Sequence, residues 1–213
     1  MTIAFLGDSI TLGYGLAHWK DRYSTLVSQA LGMTELNYGI TGTLVAQAGL
    51  NRTDEKDFLS RMRLIDDAEI AVVFGGTNDY FWSDKPIYGS DAQYFEYAVK
   101  RLANWVKEKR KNKTTLFVTP YAHNGIGNYF GGTHWKDSNR HDTSETNYNG
   151  HTLRDYVDII EAICDKNQIP CLNLHEHFDF FWQEHTIDGC HPNEKGHILI
   201  ANAITERLKN LLN

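Results

Sequence analysis

Short apolar runs alternating with longer segments of helical period constrain this chain more than any other feature. A strand buried on both faces reads as a continuous apolar run, and its parallel neighbour is reached only through a long crossover, usually a helix. The runs lie near Thr2 to Leu6, Glu35 to Tyr38, Glu69 to Phe74, Thr114 to Thr119 and Pro170 to Leu174. Arg22 to Leu31, Thr53 to Ile65, Ala92 to Lys111 and Thr152 to Asn167 read as helices between them, and a fifth runs from Glu194 to Leu212. In that last helix Ile198, Ala201, Ile204, Leu208 and Leu211 recur every three or four positions, and Pro192 precedes its start, so one face packs on a core. The alternation predicts a parallel sheet covered on both faces, in one α/β domain. With 213 residues, 41% of them apolar, the chain is large enough for one such core. No repeat or low-complexity tract argues for a solenoid or a linker.

Charge and cysteine content narrow the functional classes. Twenty-one Lys and Arg against 27 Asp and Glu give a formal net charge of −6, without the basic excess that neutralises nucleic-acid phosphates. The run Lys107 to Lys113 is broken by Glu108 and Asn112 and closes a helical segment, where cations complement the helix end. Neither nucleic acid nor a membrane is expected as a partner. Cys164, Cys171 and Cys190 are too few and too scattered for a disulfide framework or a CxxC metal motif, which fits a reducing compartment. No stretch approaches the roughly 18 apolar residues of a membrane span. Ile3 to Leu6 runs into Gly7 without a basic leader, so a cytoplasmic location is expected, although a chain whose leader had been removed would look the same.

Two connections are longer than the alternation requires. Asp79 to Asp91 and Tyr121 to Gly150 both leave the carboxyl ends of predicted strands, where open α/β sheets bind their ligands.

Four segments at such ends carry residues capable of chemistry. The first strand runs into Gly7-Asp8-Ser9-Ile10-Thr11-Leu12-Gly13, which exposes a serine at the ligand end of the sheet, although Asp, Ser and Thr there also cap helices and form turns. It is not a GxSxG elbow, since Thr11 stands at the second glycine position. The third strand ends in Gly75-Gly76-Thr77-Asn78-Asp79, where small residues admit a ligand and Asn78 can aim its amide as an oxyanion donor; an Asn-Asp turn would read the same way. Asn37-Tyr38-Gly39-Ile40-Thr41-Gly42 ends the second strand, and either glycine can present a backbone N–H. Finally, Thr186-Ile187-Asp188-Gly189-Cys190-His191-Pro192-Asn193 places an aspartate and a histidine three apart just before the last helix. A serine nucleophile needs a base, and the base needs a third group to hold its tautomer. With ten histidines in the chain, composition alone singles out none of them.

Together these segments resemble the four blocks of the SGNH, or GDSL-type, hydrolase family. The nucleophile block reads Gly7-Asp8-Ser9-Ile10, the glycine block falls in Asn37 to Gly42, the GxND block is Gly76-Thr77-Asn78-Asp79 and the DxxH block is Asp188-Gly189-Cys190-His191. Ile10 stands where the family often has Leu, a change that keeps an apolar anchor behind the serine. The resemblance implies a three-layer α/β/α sandwich with a five-stranded parallel sheet in flavodoxin-like order. It implies Ser9 as nucleophile, His191 as general base and then acid, and Asp188 as its orienting carboxylate. The oxyanion donors it implies are the Ser9 N–H, the Asn78 side chain and a glycine N–H, with Gly42 favoured over Gly39 because the family's glycine tends to sit a few residues past the strand.

The expected reaction is hydrolysis of short acyl esters through an acyl-enzyme, with a carbohydrate O-acetyl ester as the suggested substrate. An acyltransferase with the same site and a non-catalytic carbohydrate-binding domain are the alternatives. Asp8 and Asp79 are expected to fix turns by side-chain to backbone bonds. Tyr80, Phe81, Trp82 and Tyr88 in one long connection, and Tyr121, Tyr129, Phe130, Trp135 and Tyr148 in the other with His123, His134 and His141 interleaved, present aromatic faces suited to sugars. The same rings would also serve to pack the loops onto the sheet. No cofactor is required, and His175-Glu176-His177 with His185 lacks the spacing of a metal site. The sequence leaves the oligomeric state open.

Overall fold

The computed structural model of the protein describes residues 1–47, 56–123, 146–147, 149–176 and 178–213. Strand β1 (Thr2–Gly7) leads into a single turn, α1 (Ser9–Leu12), followed by α2 (Tyr23–Leu31) and β2 (Thr34–Gly39). Then come α3 (Phe58–Arg61), β3 (Ile70–Phe74), α4 (Thr77–Trp82), α5 (Phe95–Lys109), β4 (Thr114–Val118) and α6 (Leu153–Asn167). The chain closes with β5 (Cys171–Leu172), α7 (Trp182–His185) and α8 (Glu194–Leu212). The five strands form one parallel sheet in the order β2-β1-β3-β4-β5, the flavodoxin-like arrangement.

Strand periodicity sorts the core into two layers. Ala4, Leu6, Ala71, Val73 and Phe117 face α5 and α6 through Phe95, Leu102, Tyr156 and Ile160. Their alternates Ile3, Phe5, Ile70, Val72 and Leu116 face α2 and α8 through Tyr23, Val27, Ile200 and Ile204. Each fully buried Val, Leu, Ile or Phe contributes roughly 1.5–3 kcal/mol, which explains why the inner strands β1, β3 and β4 read as apolar runs: both sides of their pleat are dry. In register, Gly7 lies beside Gly39 on one side and Phe74 on the other, so the ends of β1, β2 and β3 open at the same level.

Where element boundaries differ from the sequence expectation, side-chain hydrogen bonds account for it. Of the helix expected over Thr53 to Ile65, residues 53–55 lie outside the described residues. The remainder starts at an Asp57 cap, whose carboxylate accepts from Ser60 N at 3.0 Å, makes one α turn and tightens to a 3₁₀ turn over Met62–Ile65. The helix expected from Ala92 starts at Phe95 because Asp91 first turns the chain, its carboxylate accepting from Gln93 N. The fifth strand is cut to two residues, since Asn173 Oδ1 accepts from the backbone N–H of His175 and Glu176 and bends the chain off the sheet. Thr152 and Asp155 form a capping box at the predicted start of α6, and Asn193 caps α8.

The first long connection is not a loop at its start: α4 occupies its first residues. Residues 124–145 and 148 of the second, with Tyr129, Phe130, His134, Trp135, His141 and Tyr148, lie outside the described residues. Its end is tied to the first, Asn147 Nδ2 donating to Tyr80 O and Asn149 Nδ2 to the carbonyls of Ser83 and Lys85. Among the described residues no helix is long and apolar enough to cross a membrane.

Candidate active site

The turn after β1 sets Ser9 at the open end of the sheet. Asp8 caps α1, its Oδ1 accepting from Ile10 N at 2.9 Å, and Ser9, the first helical residue, is 4% exposed. Thr11 Oγ1 shares a 2.7 Å hydrogen bond with Tyr23 Oη of α2, which anchors the short helix from beneath.

The segment carrying Asp188 and His191 is a closed loop whose ends meet in an antiparallel bridge between Thr186 and Pro192. Gly189 turns it at φ 95°, a conformation that side-chain-bearing residues rarely adopt, and its N–H donates to Thr186 Oγ1. Tyr121, at the end of β4, donates its hydroxyl to Cys190 O at 2.5 Å. Asp188 Oδ1 accepts from the backbone N–H of Cys190 and His191 at 3.0 and 2.7 Å. Its Oδ2 lies 2.6 Å from His191 Nδ1. Burial pushes the Asp188 carboxyl up, but the hydrogen bonds from the His191 ring and backbone outweigh it and hold the pKa below the usual value. A charged carboxylate at Nδ1 keeps the proton there and leaves Nε2 as the acceptor, and Nε2 lies 3.0 Å from Ser9 Oγ. The arrangement can take a proton from a serine hydroxyl.

The candidate oxyanion donors are tied to the turn after β1 through Asp8, the residue before Ser9. Asn78, at the start of α4 and 6% exposed, donates through Nδ2 to Thr43 O at 3.0 Å and to Asp8 Oδ2 at 3.2 Å. Gly39 is committed elsewhere. Its N–H donates to Asn37 Oδ1, and a Cβ there would stand 2.3 Å from Leu12 N. It is glycine because β2 passes tightly against α1. Gly42, at φ 71°, lies on the turn that leads to Thr43.

That turn is held by two charged residues. Asp79 makes the expected side-chain to backbone bonds, its two oxygens accepting from Val45 N and Ala46 N at 2.8 and 2.9 Å and clamping α4 to the Thr43–Ala46 segment. Burial drives its pKa up to about 7, and that of Asp8 up to about 6, with backbone N–H groups opposing the rise in both. Arg61 of α3, 7% exposed, donates to Tyr38 O, to Gly7 O at 3.2 Å and to Thr43 Oγ1 at 2.9 Å. It joins the ends of β1 and β2 to the turn beside Asn78. Nothing in the sequence singles Arg61 out, since its spacing within a helical segment reads as a surface position.

The aromatic residues of the long connections divide. Tyr80 and Tyr121 are 3% and 1% exposed and are core residues, not a sugar platform. His123 is buried among Tyr80, Phe81 and Tyr121, and burial lowers its pKa to about 3. Tyr88 is exposed. Tyr14, just after α1, was not anticipated: its ring centroid is 4.6 Å from that of His191. Of the histidine cluster considered for a metal, His177 lies outside the described residues, and His185 Nδ1 accepts from Phe181 N. Among the described residues no three His, Cys, Asp or Glu side chains gather as a metal site.

Comparison with known proteins places this architecture. The fold is shared with a protein from Lactobacillus plantarum, 25% identical, over 98% of this chain and 96% of that one at a TM-score of 0.78. It is shared with a possible lipase from Chitinophaga pinensis, 19% identical, over 99% and 98% of the two chains at 0.70. A carbohydrate acetylesterase from Sinorhizobium meliloti, 14% identical, aligns over 99% of both chains at 0.74. No curated protein matches the sequence. The family model for GDSL-like lipases and acylhydrolases matches residues 5–199, a span that contains all four blocks, and the chain therefore belongs to the GDSL-like lipase/acylhydrolase family.

Proposed function

We propose that the protein is a serine esterase that cleaves short acyl esters, a carbohydrate O-acetyl ester among them, through an acyl-enzyme. The observation that carries this reading is the continuous line from Asp188 Oδ2 through His191 to Ser9 Oγ, with contacts of 2.6 and 3.0 Å. In the proposed mechanism Ser9 Oγ attacks the ester carbonyl as His191 Nε2 takes its proton. The developing oxyanion is met by the N–H groups of Ser9 and Gly42 and by the Asn78 amide. His191 then passes the proton to the departing alcohol, and water enters by the same route to release the acid.

Asn78 has a further requirement. In the free protein its amide N–H groups are directed at Thr43 O and Asp8 Oδ2, so an oxyanion must displace or share the longer of the two bonds, that to Asp8. The Thr43 bond then keeps the amide oriented, and a fixed donor of this kind is typically worth roughly 10²- to 10³-fold in rate.

Beside the histidine loop, Phe74, Tyr121, His123 and Phe81 form a chain of ring contacts with centroids 6.3, 6.1 and 5.1 Å apart, an aromatic rather than aliphatic neighbourhood that suits a short acyl group better than a long chain. Hydrolysis of p-nitrophenyl acetate, butyrate and octanoate by the wild type and by Ser9→Ala tests the reading. Expected is turnover that falls with chain length and is lost in Ser9→Ala; equal turnover by both proteins, or preference for octanoate, would refute it.

A further inference from the structure

Ester chemistry dictates where each part of a substrate lies. The carbonyl oxygen must sit against the donors on the Asn78 side of Ser9, while the leaving alcohol takes its proton from His191 Nε2 and must lie on the His191 side. What that side offers is therefore what the alcohol meets.

It offers Tyr14, 46% exposed, with its ring tilted 44° against that of His191. Gly15, the residue after Tyr14, begins the lining of a groove of about 390 Å³, within the roughly 300–1,000 Å³ of small-molecule sites. Its lining is mixed, with Leu16, Ala17 and Ile187 as the apolar part. Ile187 is 49% exposed, leans on Gly15, where a Cβ would meet its Cδ1 at 2.1 Å, and donates its N–H to His191 O. The polar part is Asn193 with Glu184, Glu194 and Lys195, the last three exposed.

We propose that this groove is the subsite for the leaving alcohol and that the alcohol is a hydroxyl of a neutral sugar. The ring face rests on Tyr14 and Ile187, and the free hydroxyls meet Glu184 and Lys195. The inference rests on the roles given above to Ser9 and His191. A lining that combines apolar and charged groups suits a pyranose, whose faces are apolar and whose edge is polar. A long aliphatic alcohol would strip water from the charged wall without replacing its hydrogen bonds. Two carboxylates against one ammonium disfavour an anionic alcohol. The sugar platform is thus assigned to the turn after β1 rather than to Tyr80 and Tyr121, which are buried.

The test holds the acyl group constant and varies the alcohol, comparing mono-O-acetyl methyl glucopyranosides with hexyl acetate and p-nitrophenyl acetate. For the wild type, kcat/KM is expected to be higher on the sugar ester than on hexyl acetate. Tyr14→Ala should lower the ratio of kcat/KM for the sugar ester to that for hexyl acetate by about tenfold, the size of one lost aromatic contact. Both esters release an alkyl alcohol and need His191 first as base and then as acid, so damage to the histidine cancels in the ratio. A ratio within about twofold of wild type, on the scale of that tenfold loss, or hexyl acetate as the better substrate, would overturn the proposal. Ser9→Ala, which cannot form an acyl-enzyme, is titrated in parallel with the same glucoside by ligand-observed NMR, with Ser9→Ala/Tyr14→Ala as control. Tyr14-dependent binding supports the groove even if the wild type turned over no ester, in which case only the esterase reading falls. Equal binding by the two variants, or none, would overturn the groove.

Discussion

Ser9 Oγ and His191 Nε2, 182 positions apart in the chain, lie 3.0 Å from each other, and Asp188 decides what that contact can do. Its Oδ1 already accepts from Cys190 N and His191 N. In Asp188→Asn the amide oxygen would keep those two bonds and turn the amide N–H₂ toward His191 Nδ1. The imidazole would then place its proton on Nε2, facing Ser9, and could no longer act as a base. A loss of kcat on the order of 10³- to 10⁴-fold on p-nitrophenyl acetate is expected, with circular dichroism unchanged.

Asp8 and Asn78 are coupled in the same manner. Asp8→Asn can still cap Ile10 N through its oxygen, but its N–H₂ would face the Nδ2 of Asn78, which now donates to Asp8 Oδ2. Flipping Asn78 to relieve that contact would turn its oxygen toward Thr43 O. Either way the oxyanion donor is misaimed. A fall of about 10²-fold in kcat with little change in KM is expected from steady-state kinetics.

Arg61 is a matter of stability first. Arg61→Met removes the guanidinium that lies 5.2 Å from the Phe58 ring centroid and its hydrogen bonds to Tyr38 O, Gly7 O and Thr43 Oγ1, although Gly7 O still accepts from Ile40 N and Thr43 Oγ1 still donates to Ile40 O. With a hydrogen bond from a charged donor worth about 1.5–3 kcal/mol, urea unfolding should show a loss of about 2–5 kcal/mol. Activity should fall as well, because Thr43 orients Asn78.

His197 predicts a pH dependence. Its Nδ1 accepts from Tyr23 N at 3.1 Å, and burial holds its pKa down to about 3 against an ordinary 6.5. The unfolded chain therefore takes up the proton first, so the stability contributed by neutral His197 is present above about pH 6.5 and is lost as pH falls toward 3. In His197→Gln that loss disappears. The variant should be less stable than wild type at about pH 7.5, and the gap in unfolding free energy should narrow by up to about 1.4 kcal/mol per unit between about pH 6 and 4. A gap independent of pH would mean that the histidine takes up its proton as readily in the folded protein as in the unfolded chain.

Much of this was legible because local chemistry and fold point the same way. The inner strands read as apolar runs because both of their faces are covered, and Asn193 and Thr152 cap the helices they precede. The four site blocks were legible because each is a short contiguous segment with its own turn chemistry. Less visible were α1, α4 and α7, too short to show a period, and the premature end of β5, decided by one Asn173 side chain.

By itself the sequence determined the alternation of strands and helices, the family, and the identity of Ser9, Asn78, Asp188 and His191 as the residues to watch. Each of these is encoded within a few neighbouring positions, or by the resemblance those positions carry. Only the tertiary structure decided that Gly39 is spent on close packing, that Asp79 clamps a turn 33 residues away at Ala46, that Arg61 points inward and that Tyr14 covers the histidine. These depend on which strand ends lie side by side in the sheet, and hydrogen bonds and ring contacts between distant segments leave no periodicity behind in the chain.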